Sequence, residues 1–407
     1  MGVLSIDNSM IPHQAADRRD WRNLPGSSAS LSIAAALQAK PGACLVITQD
    51  SITAEQIRNE VEFFLPETPV LAFPDWETLI YDSFSPHQDI ISDRLRTLNE
   101  LPTLDSGVVI VTANTVMQKL APPQFILGSS LMLSVGQKLD FAQMRRKLEA
   151  AAYRYVDNVF EHGEFALRGS IMDIFPMGTD TPYRIDLFDD EIESLRTFET
   201  ETQRSIDKVT AVELLPAREF PLTSEAIKGF QDKWHERLSG HRDSPIYQDV
   251  TASMSPAGIE YYLPLFFEEI ASLFDYLPQD TLVFTTDIEA TLHHNWDQAS
   301  SRYENLRHDI LKPILPPADI LLSPNELFSL IKCYPRIELR SDDTGRGRRF
   351  PFAAMPEVTA NERAHRPLAA LEKFLSDTTN RLLITTESQG RREIVDELLQ
   401  RNQLRAS

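Results

Sequence analysis

The stretch from Tyr153 to Phe220 constrains this chain most, because its pattern excludes a helix. Apolar and polar residues alternate in short runs broken by Gly163, Gly169, Pro176-Met177-Gly178 and Pro182, which predicts short antiparallel strands joined by tight turns. In Tyr183–Phe188 the two-residue period sets Tyr183, Ile185 and Leu187 on a core face, and Arg184, Asp186 and Phe188 on the other. From Phe165 to Met172 the same alternation separates Arg168 from Phe165 and Leu167, so a second arginine can join the polar face. Arginine beside an aromatic ring is the composition enriched at protein–protein hot spots. The alternative is local: Arg184 pairs with Asp186 or Asp189, and Phe188 caps a neighbouring core.

The flanking sequence has another rhythm. A small-residue loop leads into an apolar helix (Leu24 to Gln38), followed by the strand Ala43 to Asp50, the helix Ile52 to Leu65, the apolar segment Val70 to Phe73, a helix from Ile90 to Leu101 and the strand Gly107 to Ala113. Apolar strands alternating with helices predict an α/β body with a Rossmann-like parallel sheet. Beyond the β-rich module come the helix Thr223 to Leu238, the aromatic irregular run Pro256 to Phe267, the strand Thr281 to Thr286, a long helix Glu289 to Leu311 and a helix from Pro324 to Lys332. A last piece reads helix, strand (Arg381 to Thr386), helix. The 407 residues suggest several domains. The expected division is a flexible terminus (1–23), the first part of the α/β body (24–128), the inserted antiparallel module (129–215), completion of the body (216–340), a linker (341–367) and a partial α/β domain (368–407).

Charge and motifs limit the chemistry. A formal net charge of −20 opposes attraction to nucleic-acid phosphates, and the basic run Arg346, Arg348, Arg349 sits in a linker-like stretch. A phosphate loop needs the spacing G-x-x-x-x-G-K-[ST]; Leu24 to Ser30 has one glycine and no lysine, and no glycine of the chain precedes a lysine. Neither Asp190-Glu191 nor Asp396-Glu397 closes an apolar strand, as a magnesium-binding pair should. Thus neither a Walker A nor a Walker B motif is read, and the expectation is no enzyme, no catalytic residue and no cofactor. His162 and the His293-His294 pair lack metal spacing and read as surface histidines, so no metal is expected either. Asp75, Trp76, Tyr81, Phe84 and Arg94 read as packing between the body and its neighbours. Cys44 and Cys333 read as buried reduced thiols. Neither a secretory signal nor a membrane span is read, and a cytoplasmic protein is expected.

The run EHGEFALRGSIMDIFPMGTDTPYRIDLFDDEIESLR (Glu161 to Arg196) resembles the module shared by bacterial transcription-repair-coupling factors and UvrB. FPDWETLIYDSFSPHQDIISDRL (Phe73 to Leu95), GVVIVTANTVMQ (Gly107 to Gln118) and PAGIEYYLPLFF (Pro256 to Phe267) resemble the amino-terminal region of the coupling factors in the same order, so the similarity spans about Leu24 to Leu399. The resemblance implies a UvrB-like body with a degenerate P-loop, and UvrA as partner. In that family the UvrA contact is attributed to two arginines and an aromatic residue, matching Arg168, Arg184 and Phe188. It also implies that the complete family member recognises RNA polymerase stalled at DNA damage and displaces it as a DNA translocase, using ATP and magnesium. Polymerase and DNA would be reached only through domains expected beyond Ser407. The alternatives are a UvrB-type DNA-dependent ATPase or an inert truncated product.

Overall fold

A computed structural model describes residues 6–238, 242–353, 356–361, 364–379, 382–386, 388–402 and 404. The chain enters through β1 (Arg18–Arg22), α1 (Ser28–Ala39), β2 (Ala43–Thr48), α2 (Ser51–Phe64), β3 (Val70–Phe73), α3 (Gln88–Glu100) and β4 (Gly107–Thr112). β2 and β4 are buried at every position, as strands covered on both faces must be. Asp50 caps α2 by accepting from the Thr53 N–H at 2.7 Å.

The chain then leaves the sheet. β5 (Leu131–Ser134) later pairs with β12 (Ala211–Leu214), and between them run β6 (Arg154–Tyr155), β7 (Glu164–Arg168), β8 (Ile171–Phe175), β9 (Tyr183–Phe188), β10 (Glu191–Phe198) and β11 (Ser205–Val209). These six stand in the order β11-β10-β9-β8-β7-β6, antiparallel except for the short β6–β7 pair. Two-residue turns close the β7–β8 and β9–β10 hairpins. Their first residues, Gly169 (φ 59°) and Asp189 (φ 57°), adopt the positive φ such turns require.

On its return the chain forms β13 (Leu282–Thr285), β14 (Arg336–Leu339) and β15 (Arg348–Arg349), which complete an all-parallel seven-stranded sheet ordered β15-β1-β14-β13-β2-β4-β3. The long helix between them ends at Leu306 rather than Leu311. One contiguous core joins both sheets: Phe165, Met172, Ile174, Ile185, Ile192 and Leu195 of the antiparallel module are buried in the cluster that holds Leu45, Val109, Leu95 and Val283 of the body. Met1–Phe350 forms a single compact unit.

Two expectations need correction. The terminus expected to be flexible (1–23) holds β1, which pairs in parallel with β14 and β15. Its Trp21 is fully buried, with rings of Phe284 and Phe350 at 6.1 and 5.3 Å. The strand is disguised because four of its five residues are charged, and those charges find partners: Arg18 bonds Glu338 at 2.8 Å, and Arg22 bonds Asp342 at 2.7 Å. For the same reason the expected linker (341–367) starts late, since Arg348–Arg349 extend the sheet edge as β15 and Phe350 is buried.

The second compact unit, Pro351–Ser407, contains the helices Ala369–Asp377 and Gln389–Arg401 around a small core of Leu368, Leu371 and Leu399. The expected strand Arg381 to Thr386 is not found at Leu382–Thr386, where no ladder partner exists among the described residues and Leu383 is exposed; Arg381 lies outside them.

Candidate interaction face

The register of the six-stranded sheet fixes which side chains share its outer face. Arg168 lies opposite Ile171, and Ile171 opposite Asp186; one step inward, Asp173 lies opposite Arg184, and Arg184 opposite Arg196. Phe188 stands one step outward from Asp186, opposite Glu191. Arg168, Arg184 and Phe188 therefore occupy one face, as the alternation predicts, while Ile185 and Met172 are buried on the other. Arg168 and Phe188 sit at the tips of neighbouring hairpins. Arg184 sits deeper.

Their environments differ. The Phe188 ring is 74% exposed and caps no core. The exposed Arg168 donates to the Asp157 carbonyl and the Asn158 side chain, which aims its guanidinium along the rim. Arg184 is clamped by two hydrogen bonds to Asp173, at 2.7 and 2.9 Å, with a third to the Gln203 carbonyl at 3.1 Å. The Asp173 carboxylate is 3% exposed, and the guanidinium lies 4.9 Å from the Phe198 ring centre. The bonds to Asp173 raise the Arg184 pKa above its ordinary value. Arg184 thus pairs across the ladder with Asp173, not along its own strand with Asp186 or Asp189. Beneath it Val159, Ala166, Phe175 and Phe198 form a separate small core.

Sequence reasoning missed Asp173 and Arg196. Asp173 is a lone acid within Ile-Met-Asp-Ile-Phe, a signal that a buried carboxylate needs a cation nearby. Arg196 approaches Asp186 at 3.8 Å and extends the polar face by one strand.

At the position of the expected phosphate loop the backbone does make a strand-loop-helix turn: β1, then Gly26 at φ 54°, then α1. The chemistry there is inverted. Ser27 and Ser30 donate to the Glu60 carboxylate of α2 at 2.7 and 2.6 Å, so an anionic side chain of the protein already holds the hydroxyls at the positive end of α1.

The Trp76–Arg94 segment packs internally. Arg94 is fully buried, bonded to Glu219 at 2.5 Å and to the Pro74 carbonyl at 2.9 Å, between the rings of Phe73 (4.2 Å) and Trp76 (5.0 Å). Phe84 departs from this pattern and is exposed. His162 is not a free surface residue; Asp89 and the Thr179 carbonyl hold it at 2.7 and 2.8 Å. Cys333, expected to be buried, is exposed, and Cys44 is buried. Among the described residues no cluster of His, Cys, Asp or Glu is placed to hold a metal, and no helix is long and apolar enough to cross a membrane.

The family model of the UvrB interaction domain matches residues 131–220, from β5 to the chain just past β12. A second model, the D3 domain of MFD, matches residues 374–407. The transcription-repair-coupling factor of Escherichia coli is 41% identical over 397 residues, covering 96% of this chain and 34% of that protein. By sequence the chain belongs with the amino-terminal region of the transcription-repair-coupling factors. The Haemophilus influenzae factor is 40% identical with the same coverage, and that of Bacillus subtilis 25% identical over 70% of this chain and 25% of its own length. The chain spans about a third of the length of the first two relatives. The hairpin-tip end of this face, where Arg168 and Phe188 are exposed, lies within the segment that the UvrB interaction domain model matches, while its inner half is covered by the small core around Val159.

Proposed function

We propose that this chain is the UvrA-recruiting part of a transcription-repair-coupling factor, and that UvrA docks on the outer face of the antiparallel module. The observation that carries this reading is the exposed Phe188 ring on the same face as Arg168 and the Arg184 edge, within a UvrB-interaction-type module. An exposed aromatic anchor with arginines around it is the composition of an interface centre. UvrB carries a related module, so UvrB and this chain should compete for one surface of UvrA. Calorimetric titration of UvrA with the chain, repeated after saturation with UvrB, tests this. The expected result is binding that UvrB abolishes; additive binding of both would contradict a shared surface. In this proposal, contact with RNA polymerase and DNA, and the use of ATP and magnesium, belong to other parts of the coupling factor.

The chain itself is proposed not to bind ATP productively. Support comes from the missing Gly-Lys pair and from Glu60, whose carboxylate would repel a triphosphate at the start of α1. Titration with a fluorescent ATP analogue is expected to show no saturable magnesium-dependent binding. Low-micromolar binding would contradict the proposal.

A further inference from the structure

The segment 156–161, between β6 and β7, runs as a strap along the outer face of β7, and each outer-facing residue of that strand holds it. Arg168 donates to the Asp157 carbonyl and the Asn158 side chain, Ala166 packs with Val159 in the small core, and the Glu164 carboxylate accepts the backbone N–H groups of Phe160 and Glu161 at 2.8 and 2.9 Å. Gln203 adds a bond to the Val159 carbonyl at 3.2 Å. Glu164 is 5% exposed, and a carboxyl buried that deeply needs such donors around it; Arg154 completes the set. The strap is thus fixed before any partner arrives.

What this fixed strap presents is not buried. Val159 is 0% exposed, yet the next residue, Phe160, is 55% exposed and packs into neither the main core nor the small one. A large apolar ring held outward by an ordered backbone loses little freedom on association, as an interface anchor requires. Arg168 is oriented by the strap but not neutralised. Its two acceptors are uncharged amide oxygens, and it has no carboxylate partner among the described residues. A stable interface covers about 800 Å² on each partner, more than two hairpin tips offer. Glu164, which holds Phe160, lies about 13 Å along β7 from Arg168 at ~3.3 Å per residue, within one patch of that size. Because the strap covers the inner half of the face, a partner seated on the tips meets the strap there and not the sheet.

We infer that, given UvrA docking at the hairpin tips as proposed above, the strap is the second part of the same docking surface. Phe160 enters an apolar recess of UvrA, and Asn158 is a positioning residue that aims the Arg168 guanidinium at a carboxylate of UvrA. A charged donor held ready for an acidic partner raises both affinity and its sensitivity to salt.

The test is calorimetric titration of UvrA with the full chain and its variants, with melting temperatures measured beside it and Phe188→Ala as the reference. Phe160→Ala should weaken binding about tenfold without moving the melting temperature. Asn158→Asp keeps an acceptor oxygen for Arg168 but pairs it with an internal charge. Its melting temperature should hold or rise, while affinity falls about threefold or more and the salt dependence of binding flattens. A residue that merely held the loop would leave the salt dependence unchanged. If Phe188→Ala weakens binding and Phe160→Ala does not, the strap is no part of the surface and the docking face still stands. Parental affinity and salt dependence in Asn158→Asp would remove the positioning role in the same way, and a Phe160→Ala chain that melts well below the parent would return the ring to the core. Parental affinity in all three variants would overturn both the strap and the face.

Discussion

Arg94→Ala is expected to destabilise the unit Met1–Phe350 by about 3–5 kcal/mol, the cost of leaving one partner of a buried ion pair uncompensated. Arg94 and Glu219 are 0% and 3% exposed, so no solvent reaches the carboxylate that would remain. The arginine also loses its place between Phe73 and Trp76 and its bond to the Pro74 carbonyl. Arg94 comes from α3 of the body, and Glu219 from the segment that returns from the antiparallel module, so the pair joins the two halves of one core. Against a typical total of about 5–15 kcal/mol the loss is large. The midpoint of urea unfolding measures it. The double variant Arg94→Met, Glu219→Gln should recover much of the loss, because removing both charges removes the desolvation cost as well. A midpoint unchanged by Arg94→Ala would contradict this account of the core.

Arg184→Ala is expected to cost about 3 kcal/mol for a related reason. It leaves Asp173, 3% exposed, without its two hydrogen bonds, and uncovers the Phe198 ring. The pattern of the sequence alone suggests the reverse, a residue that binds a partner and contributes little to folding. The clamp on Asp173 changes that expectation. Loss of UvrA binding in Arg184→Ala would therefore mix a lost contact with a loosened module. Asp173→Asn with Arg184→Met separates the two effects: the melting temperature should recover toward that of the parent chain, and any remaining loss of affinity then belongs to the guanidinium. A melting temperature that falls as far in the double variant as in Arg184→Ala would show that the pair is not what Arg184 contributes.

Most of the architecture is legible wherever a strand is either wholly apolar or strictly alternating. Val108 to Val111 and Leu45 to Ile47 announce a doubly covered sheet, and Tyr183–Phe188 announces its two faces. What fails to announce itself is a strand whose buried contribution is one residue. β1 shows four charges and a single tryptophan and carries no periodic signal; its partner β14 does alternate, with Ile337 and Leu339 buried, but over only four residues after a proline-punctuated stretch. Both are made strands by parallel pairing with distant segments, which local pattern does not encode. The candidate face divides in the same way. Alternation places Arg168, Arg184 and Phe188 together, whereas the cross-strand register that sets Arg184 against Asp173 depends on where the turns at Gly169–Ser170 and Thr179–Pro182 close. The Glu60 carboxylate over α1 is likewise a contact between helices, and only the missing lysine could be seen beforehand.

The most direct test of the proposed docking face is the affinity for UvrA of Phe188→Ala, measured beside its melting temperature. The ring is 74% exposed and at a hairpin tip, so truncation removes almost no core packing and the melting temperature should not move. If the ring is the anchor of the interface, its loss costs about 2 kcal/mol or more of binding, which is more than a tenfold fall in affinity. Arg168→Ala, at the neighbouring tip, should weaken binding in the same direction. A Phe188→Ala chain that melts like the parent and binds UvrA with undiminished affinity would contradict the proposal that UvrA docks on this face.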